Sequence, residues 1–287
     1  MTTITVKEFF DHDTATFTYV VSDDATKKCA IIDSVLNYDM NAGKISTNSA
    51  DSIIAYIAEN NLQLDWILET HIHADHLTAS SYIKEKIGGK IAIGNKIKEV
   101  LDFWVPLFNT SKDTPLNASQ FDYLFSDGEK FQIGNLQVQV IHTAGHTPAC
   151  VSYLIEDAVF VGDTVFLPRM GTARTDFPGG SAKQLYASIQ KIFSLPENTK
   201  IYVCHDYPES GKEPQFFCTI ADQRQNNILI NDKISEEEYV ALRTKRDSAL
   251  SVPKLILPAI QINLRAGKLG EPEENGVRYV KIPLNKI

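Results

Sequence analysis

The sequence predicts an α/β protein in which short buried strands alternate with amphipathic helices. Short apolar runs recur between segments whose apolar residues have helical spacing. Four of the predicted strands end in histidine or aspartate side chains. Because α/β sheets place their binding sites at the carboxyl ends of strands, we expect these side chains to share one site.

Composition indicates an ordinary globular chain that acts on a small molecule. At 287 residues and 43% hydrophobic content, it can form one substantial core or two small ones. Its net charge of -8 argues against a general nucleic-acid or anionic-membrane surface. No apolar run approaches the roughly 20 residues that span a bilayer, and the first residues lack a targeting pattern, so we expect a cytoplasmic protein. Composition does not decide between a monomer and a homo-oligomer.

The first elements are predicted to be a pair of antiparallel strands. Residues 16–21 alternate between polar and apolar side chains, residues 29–32 form an apolar run, and a polar turn separates them. Residues 48–60 are predicted to form a helix with its isoleucines on one face. The apolar run at residues 66–68 then predicts a buried strand that ends shortly before His71.

A helix, a strand and a second helix are predicted next. Residues 77–87 show helical spacing that a glycine pair ends, residues 90–93 form a strand, and an amphipathic helix starts at Asn95. Residues 101–128 interrupt this rhythm with six aromatic side chains among polar residues. Two interpretations of this aromatic segment stay open, a lid or entrance wall and a surface loop anchored by its aromatic residues.

A hairpin and a further strand pair are predicted in the middle of the chain. Residues 130–133 and 136–141 flank a Gly-Asn turn and alternate in polarity. Residues 151–155 and 158–161 form two more short apolar runs. We expect four strands here.

The last part of the chain is predicted to be mainly helical. Ser181 opens a helix with a capping-box pattern, and residues 200–204 form a strand. Residues 214–228 have a helical pattern, Ser235 opens another helix, and the tail from Leu255 is predicted to be extended.

No linker-like stretch divides the chain. We therefore predict a catalytic core over residues 1–210, with the aromatic segment at about 101–128 inserted in it. Residues 211–287 are predicted to form a carboxyl-terminal extension that packs on the same domain.

Three histidines and an aspartate crowd the loop after the strand at residues 66–68. They are His71, His73, Asp75 and His76. Packing alone rarely satisfies so many imidazole and carboxylate groups, whereas one metal site does. The alternative, a polar loop that only caps the next helix, is disfavoured because capping prefers Asp, Asn, Ser or Thr over His.

Further metal-binding side chains follow later strands. His146, Asp163 and His205 each come soon after a predicted strand, where they can meet the first cluster. His142 lies on its strand and is expected to be structural or to support a ligand. His12 lies apart from these places in sequence and is expected to be structural.

The assembled residues resemble the metallo-β-lactamase superfamily, and the words around them are similar to the persulfide dioxygenase group, also called sulfur dioxygenases or ethylmalonic-encephalopathy-type proteins. The matching words are Thr70-His-Ile-His-Ala-Asp-His76, Ala144-Gly-His-Thr147, Gly171-Thr-Ala-Arg-Thr-Asp-Phe177, His205-Asp-Tyr207 and Pro258 through Asn263-Leu-Arg-Ala-Gly267. The resemblance implies a four-layer αβ/βα sandwich, in which two mixed β-sheets are flanked by helices. The aromatic segment is longer than the group's pattern leads us to expect.

The resemblance also implies an activity and a metal. Persulfide dioxygenases use one Fe(II), which His71, His146 and Asp163 would hold as two imidazoles and a carboxylate. The implied reaction is oxidation of glutathione persulfide by O₂ and water to sulfite and glutathione, a step of sulfide detoxification. The remaining members of the set would support the metal or form a second metal site; they are His73, Asp75, His76 and His205.

Roles beyond metal binding are implied for further residues. Arg174 would pair with a glutathione carboxylate through its planar fork, and Tyr207 would form a hydrogen bond near the sulfur or the peptide of the substrate. Asp75, His76 and His205 join Tyr207 as the catalytic set. Arg174 also has a plain interpretation as a surface salt bridge.

Two other functions stay open. A glyoxalase II-like thioesterase would use two zinc or iron ions bridged by Asp163 to cleave a glutathione thioester. One ion would take His71, His73 and His146, and the other Asp75, His76 and His205. A metal-dependent binding or redox-sensing module would use Cys150 and Cys204, although strand alternation predicts that Cys204 points away from the site.

Overall fold

The computed structural model describes residues 4–286 and contains fifteen strands and seven helices over that range. The strands are β1 Ile4–Asp11, β2 Thr16–Asp23, β3 Lys28–Ile32, β4 Val35–Asp39, β5 Lys44–Ser46, β6 Gln63–Leu68, β7 Leu77–Thr78, β8 Lys90–Gly94, β9 Tyr123–Phe125, β10 Lys130–Ile133, β11 Leu136–His142, β12 Val151–Ile155, β13 Ala158–Phe160, β14 Lys200–Tyr202 and β15 Phe217–Thr219. The helices are α1 Asn48–Glu59, α2 Ser80–Ile87, α3 Ile97–Phe108, α4 Ala182–Phe193, α5 Ile220–Asn226, α6 Glu236–Asp247 and α7 Ile256–Asn263. This content confirms the α/β class.

Two six-stranded sheets form the frame. The first has the order β1-β2-β3-β6-β8-β9, and the second runs from β10 to β15 in sequence order. Strands β3, β6, β8 and β9 are parallel, whereas β1, β2 and β3 are antiparallel. In the second sheet only β13 and β14 pair in parallel. Both sheets are therefore mixed, and a small sheet of order β5-β4-β7 lies beside them.

The two large sheets pack face to face through a core rich in aromatic side chains. Tyr19 and Leu68 of the first sheet belong to the same buried cluster as Tyr153 and Phe160 of the second. The rings of Tyr19 and Phe160 meet edge to face with their centroids 5.2 Å apart. Such aromatic pairs add about 0.5–1.5 kcal/mol to the apolar area that they bury.

Helices cover the outer face of each sheet. Buried side chains of α1, α2, α3 and α7, such as Ile53, Leu101 and Ile260, pack on the first sheet. Leu185 of α4 and Tyr239 of α6 belong to a third cluster on the second sheet. The layers are thus helix, sheet, sheet and helix, as predicted. None of the helices within residues 4–286 combines the length and the apolar character that crossing a bilayer requires.

Two predictions for the carboxyl-terminal part were wrong. Residues 217–219 form β15 rather than the start of a helix, because they pair with β14 at the edge of the second sheet. The segment from Leu255, predicted to be extended, forms α7. Pro258 is compatible with this helix because it lies in the first turn, where a backbone N–H has no partner within the helix.

The aromatic segment at residues 101–128 is divided between two core elements. Its first part is the end of α3, where the rings of Trp104 and Phe108 stack with centroids 5.6 Å apart. Its last part contains β9, which pairs with β8 at the edge of the first sheet. The aromatic side chains thus serve mainly the packing of the first sheet and its helix layer.

Residues beyond 210 contribute to both outer layers. Helices α5 and α6 pack on the second sheet, whereas α7 packs on the first. We therefore propose to treat the core over residues 1–210 and the extension over residues 211–287 as parts of one domain.

Gly162, after β13, lies in close contact with Thr70, after β6, and this contact between the two sheets generates a stability prediction. Gly162 has φ +50°, and a Cβ there would lie 2.3 Å from the Thr70 hydroxyl oxygen. Gly162→Ala should therefore lower the free energy of unfolding by about 1–3 kcal/mol through overpacking, beyond about 1–2 kcal/mol for left-handed backbone. Urea unfolding of the purified variants measures this difference.

Gly128→Ala is the matched control. Gly128 also has a positive φ, +73°, but a Cβ there would meet no atom within 4 Å. It should lose only the backbone contribution. Equal destabilisation of the two variants would contradict the close contact with Thr70.

Candidate metal centre

The loops that follow β6, β11, β13 and β14 bring the predicted metal-binding side chains together at one edge of the sandwich. His71 belongs to the loop after β6, in the first sheet, whereas His146, Asp163 and His205 follow strands of the second sheet. The candidate site therefore lies where the two sheets meet, and each sheet supplies a part of it.

One group has the composition of a two-histidine, one-carboxylate metal site. The ligand atoms of His71, His146 and Asp163 all lie within 4.8 Å of one another. Asp163 Oδ2 lies 3.9 Å from His71 Nε2 and 3.7 Å from His146 Nε2. These three residues converge on one point that a single ion can occupy.

The other members of the set fall into different groups. His73, Asp75 and His76 offer atoms within 4.8 Å of one another, and so do Asp163, Cys204 and His205. His205 Nε2 lies 3.2 Å from Asp75 Oδ2 and 3.2 Å from Asp163 Oδ1. Asp75 and Asp163 thus connect the groups through His205.

Several buried polar atoms of these residues lack a hydrogen-bond partner. They are Nε2 of His71, His76 and His205, both ring nitrogens of His73, and Oδ1 of Asp163. Leaving such atoms without a partner costs about 1–3 kcal/mol each, so an arrangement of this kind needs a compensating ligand. Imidazole and carboxylate donors suit a transition-metal ion, and the residues present therefore fit a metal.

Hydrogen bonds at Nδ1 fix the tautomers of four imidazoles. His146 Nδ1 donates to the Arg174 carbonyl at 2.8 Å, and His71 Nδ1 lies 3.0 Å from the Thr70 hydroxyl. The Nδ1 atoms of His76 and His205 lie 3.2 Å from the carbonyls of Leu77 and Ala15, respectively. With Nδ1 protonated, Nε2 of each ring keeps its lone pair for a metal.

The His73 ring has the opposite orientation, with Nε2 rather than Nδ1 directed at neighbouring protein groups. Its Nε2 lies 3.1 Å from Asp33 Oδ1 and 3.8 Å from Glu69 Oε2, while its Nδ1 has no hydrogen-bond partner. Burial lowers the pKa of His73, but the nearby carboxylates of Asp33 and Glu69 outweigh burial and raise the pKa to about 9. Asp33 and Glu69 were not predicted as site residues; the sequence signal is that each directly follows a buried strand.

Charge within the centre is distributed unevenly. Burial, followed by the neighbouring His73, lowers the pKa of His71 well below its ordinary value and that of His76 to about 4. Burial opposes ionisation of Asp163, but His205, His71 and His146 hold its pKa well below the usual range. Burial lowers the pKa of His205, but Cys204, Asp75 and Asp163 outweigh burial and raise it well above its ordinary value. Neutral imidazoles at His71 and His76 thus lie beside an ionised Asp163 carboxylate, the states in which these groups bind a metal.

A cavity of about 900 Å³ opens over the metal-binding residues. Asp75, His146, Asp163 and His205 line its floor, and Tyr207, 61% exposed, lines its wall. No residue of the aromatic segment 101–128 is among the lining residues within the described range. That segment therefore neither covers nor borders this cavity.

The structure locates His12 at the cavity and corrects the expectation for Cys204. His12, expected to be structural, is exposed and lines the cavity mouth. Cys204, expected to point away, has its sulfur within 4.8 Å of ligand atoms of Asp163 and His205. The alternation rule does not apply there, because β14 ends at Tyr202 and the backbone leaves the strand.

The cysteine thiols are buried. Burial raises the pKa of Cys29, Cys150 and Cys218 to about 12, and it raises that of Cys204 further. A thiol reacts as its thiolate, so burial keeps these groups unreactive at neutral pH. This arrangement disfavours a redox-sensing module.

Arg174 lines the cavity, but three of its N–H donors bond to the protein. Its Nε and Nη2 each donate to Asp176 at 2.6 Å, and its Nη1 donates to the Ser251 carbonyl at 2.7 Å. The fork that was expected to bind a substrate carboxylate is therefore occupied by Asp176. Two cations that sequence reasoning missed, Arg246 and Lys254, also line the cavity and form no salt bridge within the described residues.

Known proteins similar to this chain carry two kinds of name. Glyoxylase B2 of Dictyostelium discoideum is 53% identical, and the match covers 98% of this chain and 97% of that protein. A probable metallo-hydrolase of Burkholderia pseudomallei is 47% identical over 99% of this chain and 100% of its own length. The human mitochondrial persulfide dioxygenase ETHE1 is 28% identical over 92% of this chain and 89% of its own length.

Structure and family comparisons agree on the fold. The crystal structure of ETHE1 from Myxococcus xanthus has a TM-score of 0.74 and 30% identity, and the match covers 92% of this chain and 100% of that chain. The family model of the metallo-beta-lactamase superfamily matches residues 13–205, which include all seven predicted metal-binding positions. This chain belongs to the metallo-β-lactamase superfamily.

Proposed function

We propose that this protein is a persulfide dioxygenase with one iron ion held by His71, His146 and Asp163. The proposed reaction oxidises glutathione persulfide with O₂ and water to sulfite and glutathione. The observation that carries the proposal is the convergence of these three residues, whose ligand atoms lie within 4.8 Å of one another. Asp75, His76 and His205, the ligands of a second metal site, do not form one such group, although His205 Nε2 lies 3.2 Å from Asp75 Oδ2.

In the proposed reaction, the iron would supply the oxidation chemistry, and the residues of the chain would orient the ligands and move protons. Iron in a two-histidine, one-carboxylate site has open positions at which it can bring an oxidisable sulfur and O₂ together. The chain orients the ligands: the Arg174 carbonyl fixes the tautomer of His146, and Thr70 fixes that of His71. Asp75 and His205 lie 3.2 Å apart at the cavity floor, where we propose that they move protons near the substrate.

A glyoxalase II-like thioesterase is the second candidate function. The names of the more identical relatives, a glyoxylase and a probable metallo-hydrolase, favour it over the dioxygenase. The structure offers one supporting observation, because the buried Nδ1 of His73 has no hydrogen-bond partner and can serve as a ligand. Two metal ions would activate water for attack on a thioester. All seven residues that such a centre needs are present.

The metal content of the purified protein separates the two candidates. Protein prepared without added metal should contain one iron per chain, because three convergent ligands form one site. Its nitric oxide adduct should give a high-spin signal in electron paramagnetic resonance. Two tightly bound zinc ions per chain, with thioester cleavage that consumes no O₂, would favour the thioesterase and refute the dioxygenase.

Substitutions should separate direct ligands from supporting residues. His146→Ala and Asp163→Ala should empty the site, because each removes one of three ligands. Asp75→Ala should retain iron and lose roughly 10–100-fold in activity, the usual effect of a residue that supports the ligands. Iron analysis and O₂ consumption measure the two effects. If all three variants lost iron equally, the single-metal assignment would be wrong.

The cavity also supports an anionic carrier for the substrate sulfur. Because the Arg174 fork is bonded to Asp176, we assign substrate carboxylates to Arg246 and Lys254, and Arg174 to positioning of its loop. We propose that Tyr207, which lines the wall of the cavity, contacts the substrate. Glutathione, with two carboxylates, matches this pair of cations.

Arg246→Ala and Lys254→Ala should each raise KM for glutathione persulfide and leave kcat nearly unchanged. The bonds would form equally in the ground and transition states, so their loss weakens binding alone. At exposed positions each is worth about 1 kcal/mol, or roughly fivefold in KM. Lys245→Ala is the control, since Lys245 neighbours Arg246 on α6 and does not line the cavity. A fall in kcat at constant KM would count against this assignment.

A further inference from the structure

We propose that Asn263 is a positioning residue for the metal centre. It is the last residue of α7, and its carboxamide holds the turn that carries His73, Asp75 and His76. The side chain touches neither a metal nor a substrate position. It acts on the centre through the backbone of that turn.

The carboxamide makes three short hydrogen bonds to one loop. Its Nδ2 donates to the carbonyls of His73 and His76, both at 2.8 Å. Its Oδ1 accepts from the backbone N–H of Thr78 at 2.8 Å. Asn263 is 2% exposed, so water does not compete for these bonds. Both N–H groups of the amide and its oxygen are thus directed at the metal-binding loop.

Residues just after Asn263 pack against β7 and the start of α2, which directly follow that loop. The Ser81 hydroxyl donates to the Ala266 carbonyl at 2.9 Å. Gly267 has φ +87°, and a Cβ there would lie 2.8 Å from the Thr78 carbonyl oxygen. The end of α7 therefore lies against the start of α2 with no room for a side chain. This close packing leaves the Asn263 amide little freedom to move away from its partners.

The three bonds determine how the imidazoles are presented. Fixing the carbonyls of His73 and His76 fixes the peptide planes on either side of Asp75. His76 then directs Nε2 toward the site, while His73 directs its Nε2 at Asp33, 3.1 Å away. Without Asn263, three backbone groups of the loop would lose their partner, at about 1–3 kcal/mol for each buried group. The turn would relax to satisfy them, and the imidazoles would turn with it.

This inference is independent of the choice between dioxygenase and thioesterase. Both candidates place metal-binding side chains on the loop after β6, and metal affinity can be measured without turnover. Failure of the Asn263 proposal would therefore leave the proposed function standing, and failure of the proposed function would leave this inference standing.

The test compares two amide-to-acid substitutions on the same helix. Asn263→Asp keeps the acceptor for Thr78 but places a carboxylate oxygen against two carbonyls. Gln261→Glu is the control, because Gln261 is equally buried and its amide bonds the backbone of Lys281, at 2.9 Å, rather than the loop. Fe(II) affinity is measured anaerobically by competition with a chelator. The nitric oxide adduct of each loaded variant is compared by electron paramagnetic resonance.

Asn263→Asp should bind Fe(II) roughly 10–100-fold more weakly than the natural protein and give an altered nitric oxide spectrum, as expected when a residue behind the ligands is lost. Gln261→Glu should match the natural protein in both measurements even if it melts at a lower temperature. The proposal is overturned if Asn263→Asp loses thermal stability but keeps the natural affinity and spectrum. If Asn263→Asp does not fold, Asn263→Ser takes its place. If neither folds while Gln261→Glu does, Asn263 serves the fold alone and the proposal fails.

Discussion

The buried carboxylate of Asp33 is the interaction on which the rest of the centre depends. It directly follows β3, is 3% exposed, and accepts hydrogen bonds from the backbone N–H and the hydroxyl of Thr70, both at 2.8 Å. Because that hydroxyl donates to Asp33, it must accept from His71 Nδ1, and His71 is left with Nε2 free. The same carboxylate attracts His73 Nε2. One buried charge therefore sets the state of two histidines.

This dependence explains why a single list of ligands is compatible with two chemistries. The superfamily pattern specifies which residues reach the centre, but the number of metals depends on where each ring nitrogen points. Nε2 of His73 lies beside the carboxylates of Asp33 and Glu69, whereas its Nδ1 contacts no hydrogen-bonding group. Similarity to named relatives therefore does not determine the number of metal ions, because that number depends on the geometry of the ligands as well as on their residue types.

Much of the fold followed from the sequence because the decisive signals were local. Polarity alternation located the hairpin of β10 and β11, and the Ser235 capping box located the start of α6. The class and the layer order are confirmed. The ligand-bearing loops were located because each interrupts an apolar run, and the structure brings their side chains to one edge of the sandwich.

The errors arose where tertiary contacts overrode local pattern. Helix α7 was missed because its helical state depends on burial against the first sheet, which no local signal records. The position of Cys204 was missed because its strand ends two residues earlier. The pairing of Arg174 with Asp176 was not predicted, because both residues lie in a loop and a loop has no periodic sequence pattern that indicates side-chain contacts. Asn263 belonged to a recognised sequence word, but its role required knowing that the end of α7 lies against the loop after β6.

The division of the ligands between the two sheets has a consequence for the lifetime of the protein. A bound ion ties the loop after β6 to loops of the second sheet, so it acts as a cross-link between the two halves of the sandwich. An ion that binds only the folded state adds about 4 kcal/mol of stability when its free concentration is about 1,000 times its dissociation constant. Chains that lack the ion would separate more often at the contact between the two sheets and would be degraded sooner. Metal supply would then control how much of this protein a cell keeps, as well as how much of it is active.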